Sequence, residues 1–460
     1  MMFSPRSKKN RIDLLDYDYR RDLENRQLLS QLSGFDIEVL NEIVFNSLKF
    51  PLQSIAETLD VTEECLQSSI DKLSMSGLFC VIEGTVHVDK EMRKYYELHT
   101  EKFDEDFRPD IEYLQELLSH IPIHVLPNWY AIPRSSNNIF DSILEQYMRT
   151  PKVYERYLKD LEFDNPLLNE IIQLLYKSSE LILSVEEISK QFNLPNNELS
   201  EILLFLEYHF VCFVSYRKNG SEWEEVITPP HEWTVFLQKV NQLKPIEIDQ
   251  VEKIRRCHQH DFGFVQDLTL LTRHMSEKPL SIATIDDIKE FLPDIESNPE
   301  PDLYLECLRD ILETFQICKI DDNQLFPGSA SQDWVQKSIQ EQALTIYRFN
   351  KIEGKSSEAY VDKNMREIEK NLRKVMDSGW IKFPDFVNCM TAAIGDAQPT
   401  TLTRKGRKWE YALPKYSDQD KELAFNIMKQ LFQAGMLATG IHEGEYCFCV
   451  TPFGRMTLGE

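Results

Sequence analysis

The sequence predicts a mainly α-helical protein with small β-hairpins, in which tandem copies of one three-helix unit are joined by helical struts. Three observations support this fold class. Apolar residues recur at spacings of three and four, the spacing of one helix face, in four parts of the chain. Short strand-like runs that suit β-hairpins follow these parts. Cys80, Cys212 and Cys318 each stand just beyond a predicted helix at matching points, which indicates a repeat and predicts buried cysteines at an equivalent strand position.

The first copy, placed at 36–99, begins with the helical run FDIEVLNEIVFNSL and a second short helix, PLQSIAETLD. A third helix ends at KLSMSGLF and is followed by the strand pair CVIEGTVHV. In the third helix Leu66, Ile70 and Leu73 form an apolar stripe. We expect this stripe to pack on the matching face of the second helix, which Ile55 and Leu59 supply.

The second and third copies, placed at 166–232 and 263–332, repeat this pattern. In the second, Leu199, Ile202, Leu203 and Leu206 fall on one helix face, and Asn219-Gly220 predicts a tight hairpin turn. In the third, Leu305, Leu308 and Leu312 form the stripe, and the proline-containing run DIESNPEPD lengthens the turn before it. The chain is therefore expected to continue as an array of similar units.

A fourth copy is expected at 360–460. Its first two helices are predicted within NLRKVMDSGWIKFPDFVNCMTAAIG, and its third follows a Ser417 cap. The run PTTLTRKGRKWEYALPKY has the alternation and central glycine of an inserted hairpin. The remaining parts are predicted as a basic N-terminal arm and helix at 1–35, helical connectors at 100–165 and 233–262, and a connecting helix at 333–359.

The stretch SIAETLDVTEECLQSSIDKLSMSGLF resembles the winged-helix superfamily, in which a helix-turn-helix is followed by a β-hairpin wing. The tandem copies and the C-terminal TPFGRMTL are loosely similar to the helicase-associated winged-helix arrays of some bacterial proteins. The first resemblance implies the fold. It leaves function open, because winged helices include both DNA-binding regulators and modules that bind only protein.

Composition and motifs narrow the functional classes. With 42% hydrophobic residues among 460, the chain can bury several cores. It has no run of about 18 apolar residues and no apolar segment after its basic N-terminus, so we expect a cytoplasmic protein without a membrane partner. No phosphate-binding glycine loop, nucleophile elbow or H-E-x-x-H motif is present, and we predict a non-catalytic protein without cofactors.

Metal and disulfide chemistry is not indicated either. The nine cysteines include no C-x-x-C pair. The run RRCHQHDF gathers Cys257, His258, His260 and Asp261, but their spacing matches no established metal site, and we interpret them as structural or surface residues.

Charge is distributed unevenly along the chain. The formal net charge is −25, yet residues 361–460 carry a net +1, so the first 360 residues carry −26. The solvent ridge of the first copy's third helix presents Glu63, Glu64, Gln67 and Asp71, where a DNA reader would need cations. The alternative is an ordinary solvated face whose acidic residues start the helix. Under either interpretation this helix offers no phosphate clamp.

The corresponding helix of the second copy carries Leu204, Phe205 and Tyr208 outside its core stripe. Such an apolar surface is typical of burial against protein, either a neighbouring strut or a partner. We therefore predict a protein interface at Leu204, Phe205 and Tyr208, with the acidic ridge of the first copy as a second contact region for a basic partner.

Two basic clusters are candidates for nucleic-acid contact. Arg404, Lys405, Arg407 and Lys408 surround a glycine turn beside Trp409, at a hairpin tip suited to a phosphate or a minor groove. Arg6, Lys8, Lys9 and Arg11 form a basic arm at the N-terminus. The alternatives are an ordinary basic surface turn and a solubilising terminus.

The sequence thus predicts a non-catalytic tandem winged-helix protein that acts as an interaction or scaffold module, with a protein partner, within machinery that handles nucleic acid. The first alternative is a DNA-binding transcriptional regulator that contacts DNA through the C-terminal hairpin. The second is an accessory subunit of a helicase-type enzyme, which rests on the resemblance alone.

Overall fold

The computed structural model describes residues 19–119, 139–161, 163, 165–220, 222–281, 284–321, 324–349, 358–406 and 408–459. The chain divides into two compact units. Unit 1 contains the described residues up to Gln238 together with Thr401–Ala412, and unit 2 contains Lys239–Thr400 and Leu413–Glu460. Both are mainly helical with small antiparallel sheets, which confirms the coarse fold class predicted from the sequence.

Four segments of the chain share one order of elements: a helix, a short strand, two further helices and a two-stranded hairpin. Segment 1 (34–88) follows a preceding helix, α1 (Tyr19–Ser30). Its elements are α2 (Gly34–Phe45), β1 (Lys49–Pro51), α3 (Leu52–Leu59), α4 (Glu63–Ser74), β2 (Phe79–Ile82) and β3 (Thr85–Val88). They form a three-stranded sheet in the order β1-β3-β2.

The predicted apolar stripe of α4 is buried in the core of segment 1. Leu66, Ile70 and Leu73 are buried in one cluster with Ile55. Asp60 ends α3 in the left-handed conformation, which turns the chain into α4. The periodicity read from the sequence therefore assigns the inner face of α4 correctly.

Helices connect segment 1 to segment 2, as predicted. They are α5 (Lys90–Thr100), α6 (Ile111–Ser119), α7 (Ile139–Ile143) and α8 (Pro151–Asp160), with a 3-10 turn at Glu101–Phe103 and a π-helical turn at Leu144–Met148. The proline-rich run between the predicted connector helices lies outside the described residues.

Segment 2 (166–228) repeats the order of segment 1. It contains α9 (Pro166–Lys177), β4 (Leu183–Ser184), α10 (Val185–Phe192), α11 (Asn196–Tyr208), β5 (Phe213–Asn219) and β6 (Glu222–Thr228), and α12 (His231–Gln242) follows. The sheet order is β4-β6-β5, and Asn219 pairs with Glu222 around the predicted turn.

Unit 2 contains segment 3 (263–327), which follows the short strand β7 (Arg255–Arg256). Its elements are α13 (Gly263–Glu277), β8 (Leu280–Ser281), α14 (Ile285–Ile288), α15 (Pro301–Thr314), β9 (Cys318–Asp321) and β10 (Gln324–Pro327). As in the first two segments, the second strand of the hairpin lies between the first strand and the other hairpin strand, which gives the sheet order β8-β10-β9. α16 (Ser331–Gln336) and α17 (Ile339–Arg348) follow.

Segment 4 (358–450) carries the inserted hairpin. Its elements are α18 (Glu358–Arg373), β11 (Ile381–Lys382), α19 (Phe383–Cys389), β12 (Thr401–Lys405), β13 (Lys408–Ala412), α20 (Asp418–Gln433), β14 (Leu437–His442) and β15 (Glu445–Val450), and α21 (Pro452–Gly459) follows. The sheet order is β11-β15-β14-β7, while β12 and β13 form a separate ribbon that belongs to unit 1.

The fourth copy differs from its prediction at its start. α18 begins at 358, whereas the sequence was expected to begin its first helix at 371. The predicted Ser417 cap is confirmed, since the Ser417 side chain accepts a hydrogen bond from the amide of Asp420.

One cysteine prediction is wrong. Cys212 and Cys318 are buried as expected, but Cys80 is exposed. Cys80 pairs with His87 in a sheet that leaves this position uncovered, so an equivalent position in the repeat does not ensure the same burial.

Among the described helices, none is long and apolar enough to span a bilayer.

Candidate interaction surfaces

The outer face of α4 is an exposed acidic ridge, as predicted. Glu63, Glu64, Gln67 and Asp71 are all exposed, and the Gln67 amide donates a 2.7 Å hydrogen bond to Asp71. The only cation in the helix, Lys72, turns away from this ridge and donates to Asp36 at 2.8 Å. Carboxylates therefore dominate the solvent face of α4.

The inner face of α4 fixes the orientation of this acidic ridge. Asp36 at the start of α2 accepts hydrogen bonds from Ser69, at 2.6 Å, and from Lys72. Burial by itself would raise the pKa of Asp36, but the hydrogen bonds from Lys72, Ser69 and Ser33 outweigh burial and hold the pKa at about 2. The carboxylate stays ionised at neutral pH and ties α4 to α2.

The matching helix of segment 3, α15, carries a second acidic ridge. Asp302, Glu306, Asp310 and Glu313 are exposed, and their spacing of four, four and three residues places them on one face. The inward residues of α15, Leu305, Leu308 and Leu312, are buried. The same helical spacing that predicted the inner stripe predicts this outer ridge, but it was not identified from the sequence.

The predicted apolar docking surface on α11 is wrong for two of its three residues. Leu204 and Tyr208 are each 1% exposed and pack in the aromatic core formed by the connector helices of the same unit. Phe205 is half-buried, with its ring against Phe163 and His209. Of the two interpretations of this face, burial against a neighbouring strut is the one observed.

α11 also contributes to a buried ionic cluster. Glu207, the residue before Tyr208, is fully buried and accepts a 2.5 Å hydrogen bond from Arg26 of α1. Lys102 lies 3.6 Å away from Glu207, and Asp22 binds Arg26 at 3.0 Å. Tyr208 donates to Asp22 at 3.2 Å, so one side chain of the supposed docking surface is part of this cluster.

The inserted hairpin is anchored on unit 1 through its apolar face. The Tyr411 hydroxyl donates to the carbonyl of Met148 at 2.8 Å, and its ring packs beside Trp233 and Phe236. The backbone amide of Leu402 donates to a carbonyl of the connector, that of Arg149. This hairpin therefore packs on elements that come much earlier in the sequence.

The basic tip of this hairpin is partly neutralised. Arg404 lies 3.3 Å from Glu112, and Lys405 pairs with Glu410 across the hairpin. Lys408 is exposed, and Trp409 is half-buried under the Arg404 guanidinium. The predicted residues Arg407, Arg6, Lys8, Lys9 and Arg11 lie outside the described residues.

An exposed cationic face on α18 was not identified from the sequence. Lys363, Arg366, Lys370 and Arg373 of this helix are exposed, as is Lys374 directly after its end, while the opposite face of the helix is buried. The near-zero net charge of residues 361–460 conceals these cations, although their spacing in the sequence is enough to find them.

The histidine-containing run RRCHQHDF forms part of a polar contact in unit 2. His258 is buried with its Nε2 atom 3.5 Å from Asp267, and Tyr304 donates to that carboxylate at 2.6 Å. A β-carbon on Gly263 would lie 1.8 Å from the His258 ring, so the glycine makes room for the imidazole. The described residues contain no cluster of three or more His, Cys, Asp or Glu placed to hold a metal ion.

Comparison with known proteins adds no further constraint on function. Neither a known protein family nor a curated protein matches the sequence. Any functional proposal therefore depends on the surfaces described above.

Proposed function

We propose that the chain is a non-catalytic cytoplasmic array of four winged helices that binds a basic protein partner within machinery that handles nucleic acid. The repeated order of elements in segments 1 to 4, with the first strand beside the hairpin's second strand, supports the winged-helix interpretation. The carboxylate ridge on α4 is the observation that carries the function.

The third helix is the element that a helix-turn-helix protein places in the major groove. In segments 1 and 3 this helix is α4 or α15, and its outer face presents carboxylates to solvent. Affinity for DNA depends on neutralising phosphates with Lys and Arg, so these acidic faces would repel a duplex. A lysine- or arginine-rich protein segment complements them instead, and electrostatic attraction would accelerate their encounter.

The hairpin-dependent regulator is less well supported by the contacts. Arg404 and Lys405 already face carboxylates, and releasing them for phosphate would break both pairs. The accessory-subunit alternative still rests on the resemblance of TPFGRMTL, which forms most of α21.

The central test places a photo-crosslinking amino acid at Gln67, a neutral exposed position in the middle of the α4 ridge. Full-length protein expressed in its native host is irradiated, and crosslinked proteins are identified by mass spectrometry. We expect a partner whose crosslinked segment is rich in Lys and Arg. The triple variant Glu63→Gln, Glu64→Gln and Asp71→Asn should lose that crosslink.

The matched control neutralises three exposed carboxylates elsewhere in unit 1, with Glu24→Gln, Glu57→Gln and Glu91→Gln. This control changes the net charge equally and should keep the crosslink. Removing acidic residues from the first turn of α4 weakens the helix slightly. The folding of both triple variants is therefore checked by circular dichroism. Equal retention by the two variants, or crosslinking of Gln67 to DNA, would refute the proposed function.

A further inference from the structure

Unit 2 contains a pocket between the third helices of segments 3 and 4, called the unit 2 pocket below. α15 and α20 line it, and β14 and β15 supply further lining residues. The pocket has a volume of about 650 Å³, part of which is open to solvent. Protein interiors leave few voids larger than a water molecule, whereas ligand pockets usually have volumes of roughly 300–1,000 Å³. The unit 2 pocket is therefore a candidate ligand site.

The lining of the unit 2 pocket is mainly apolar and aromatic. Phe264, Met428 and Phe448 line it and are almost completely buried in the core of unit 2. Phe425 and Phe432 of α20 add two further rings. Such a lining favours a ligand whose body is an aromatic ring or an aliphatic chain, because binding removes apolar surface from water.

Most polar groups of the lining are already engaged within the protein. The Tyr304 hydroxyl donates to Asp267 at 2.6 Å, and the Asn298 amide donates at 2.8 Å to the backbone carbonyl that follows β7. The Tyr446 hydroxyl donates to the Glu300 carboxylate. These bonds connect the walls of the pocket to one another and to the core. A pocket that is formed in advance lowers the entropic cost of binding a ligand.

Lys429 of α20 is the exception among these polar groups. It lines the pocket half-buried, and its ammonium lies 4.8 Å from the centre of the Phe425 ring. Within the described part of the chain this ammonium makes no hydrogen bond and no ion pair. Burial raises the pKa of the Cys307 thiol on α15, and the charge of Lys429 opposes that shift. The positive charge of Lys429 thus acts on the interior of the pocket.

We propose that the unit 2 pocket binds a small carboxylate with an apolar body. The ligand carboxylate pairs with Lys429, and the body lies among the aromatic rings. A partly buried ammonium gains a charge-assisted hydrogen bond from such a ligand without breaking a contact to another carboxylate. The inference goes beyond the protein-binding function and uses a site in the other unit.

A cationic ligand is the less suitable occupant. Glu300 also lines the pocket, but its carboxylate already accepts a hydrogen bond from Tyr446. An amine in the pocket would in addition be repelled by Lys429. Glu300 would repel the carboxylate of an acidic ligand, which favours the placement of that carboxylate at Lys429.

The test is a ligand-detected NMR titration of the full chain with three acids of different shape: hydrocinnamate, 1-naphthaleneacetate and octanoate. Each acid is compared with its primary amide, which has the same apolar body without the charge. We expect at least one acid to bind with a Kd of about 1 mM or lower. That acid should bind at least ~10-fold more tightly than its amide.

The variant Lys429→Met keeps a long apolar side chain and removes the charge. It should lower the affinity for the acid ~10-fold and leave the affinity for the amide unchanged, so that the two ligands bind equally. Unchanged amide binding shows that the pocket is intact. The matched control is Lys421→Met on the same helix, where Lys421 is exposed and paired with Asp418 outside the pocket. This control should keep the preference for the acid.

Four results would overturn the proposal. They are no binding of any of the three acids at about 10 mM, equal affinities of the wild type for acid and amide, tighter binding of 3-phenylpropylamine than of hydrocinnamate, and equal losses in the Lys429 and Lys421 variants.

Discussion

Stability should depend on pH through one buried carboxylate at the start of α12. Glu232 is 5% exposed, and one of its oxygens accepts a 3.1 Å hydrogen bond from the amide of Ile111. Among the described residues its second oxygen has no hydrogen-bond partner. Burial raises the pKa of Glu232 to about 7, and the charges of Asp110 and Glu112 add to this shift.

The size of the effect follows from the difference between the folded pKa of about 7 and the ordinary value of 4.5. Between these values the folded chain retains a proton that the unfolded chain has lost, so its stability falls as the pH rises. At 1.36 kcal/mol per pKa unit, Glu232 contributes a loss of at most about 3 kcal/mol between pH 4 and pH 8.

The substitution Glu232→Gln imitates the protonated side chain and should remove this loss. We therefore expect the variant to gain stability over the wild type by up to ~3 kcal/mol at pH 8, with little pH-dependent gain near pH 4. Urea unfolding followed by tryptophan fluorescence at both pH values gives the two differences. The contributions of other titrating groups cancel in the difference in unfolding free energy between the variant and the wild type, because both proteins contain those groups.

The control Glu24→Gln removes an exposed carboxylate and should show no comparable change between the two pH values. If Glu232→Gln and wild type lose stability in parallel from pH 4 to pH 8, the buried carboxylate does not titrate as described, and the argument fails.

Three further substitutions test the packing. Leu204→Ala should lower the free energy of unfolding by about 2–5 kcal/mol in urea unfolding, whereas a partner-binding leucine would leave it unchanged. Glu207→Ala should cost about 3–5 kcal/mol by the same measurement, because two cations lose a buried partner. Gly263→Ala should cost about 1–3 kcal/mol, since its β-carbon would meet the His258 ring, and a lowered melting temperature would reveal it. Gly459→Ala, with open space around that position, should leave the melting temperature unchanged.

Local periodicity predicts the inward faces of the helices well. The α4 stripe Leu66, Ile70 and Leu73 and the cap at Ser417 depend on residues within a few positions of one another. The tight turn that follows Asn219 is equally local, because Gly220 has a positive φ angle of 67° that this turn requires. Such features need no knowledge of distant contacts.

Long-range contacts decide what the sequence did not reveal. Leu204 and Tyr208 have the same spacing whether a partner or the chain's own connector covers them, and only the fold distinguishes these outcomes. Tyr411 contacts Met148 across 263 positions of sequence, so the inserted hairpin gives no local sign that it belongs to unit 1. The charge of the hairpin tip was correctly identified, but its partners Glu112 and Glu410 became known only from the structure.

The outer faces of α4 and α18 carry opposite charges, and in each helix the like charges recur at helical spacing. On α4 the face that a DNA reader would use is acidic, while on α18 the first helix of segment 4 presents the cations. Because salt at about 0.1 M screens exposed charges beyond about 10 Å, the local charge of a helix face matters more to an approaching phosphate than the net charge of the chain. Net charge alone therefore does not exclude nucleic-acid binding here. The spacing of like charges along a fixed helix is the quantity that decides it.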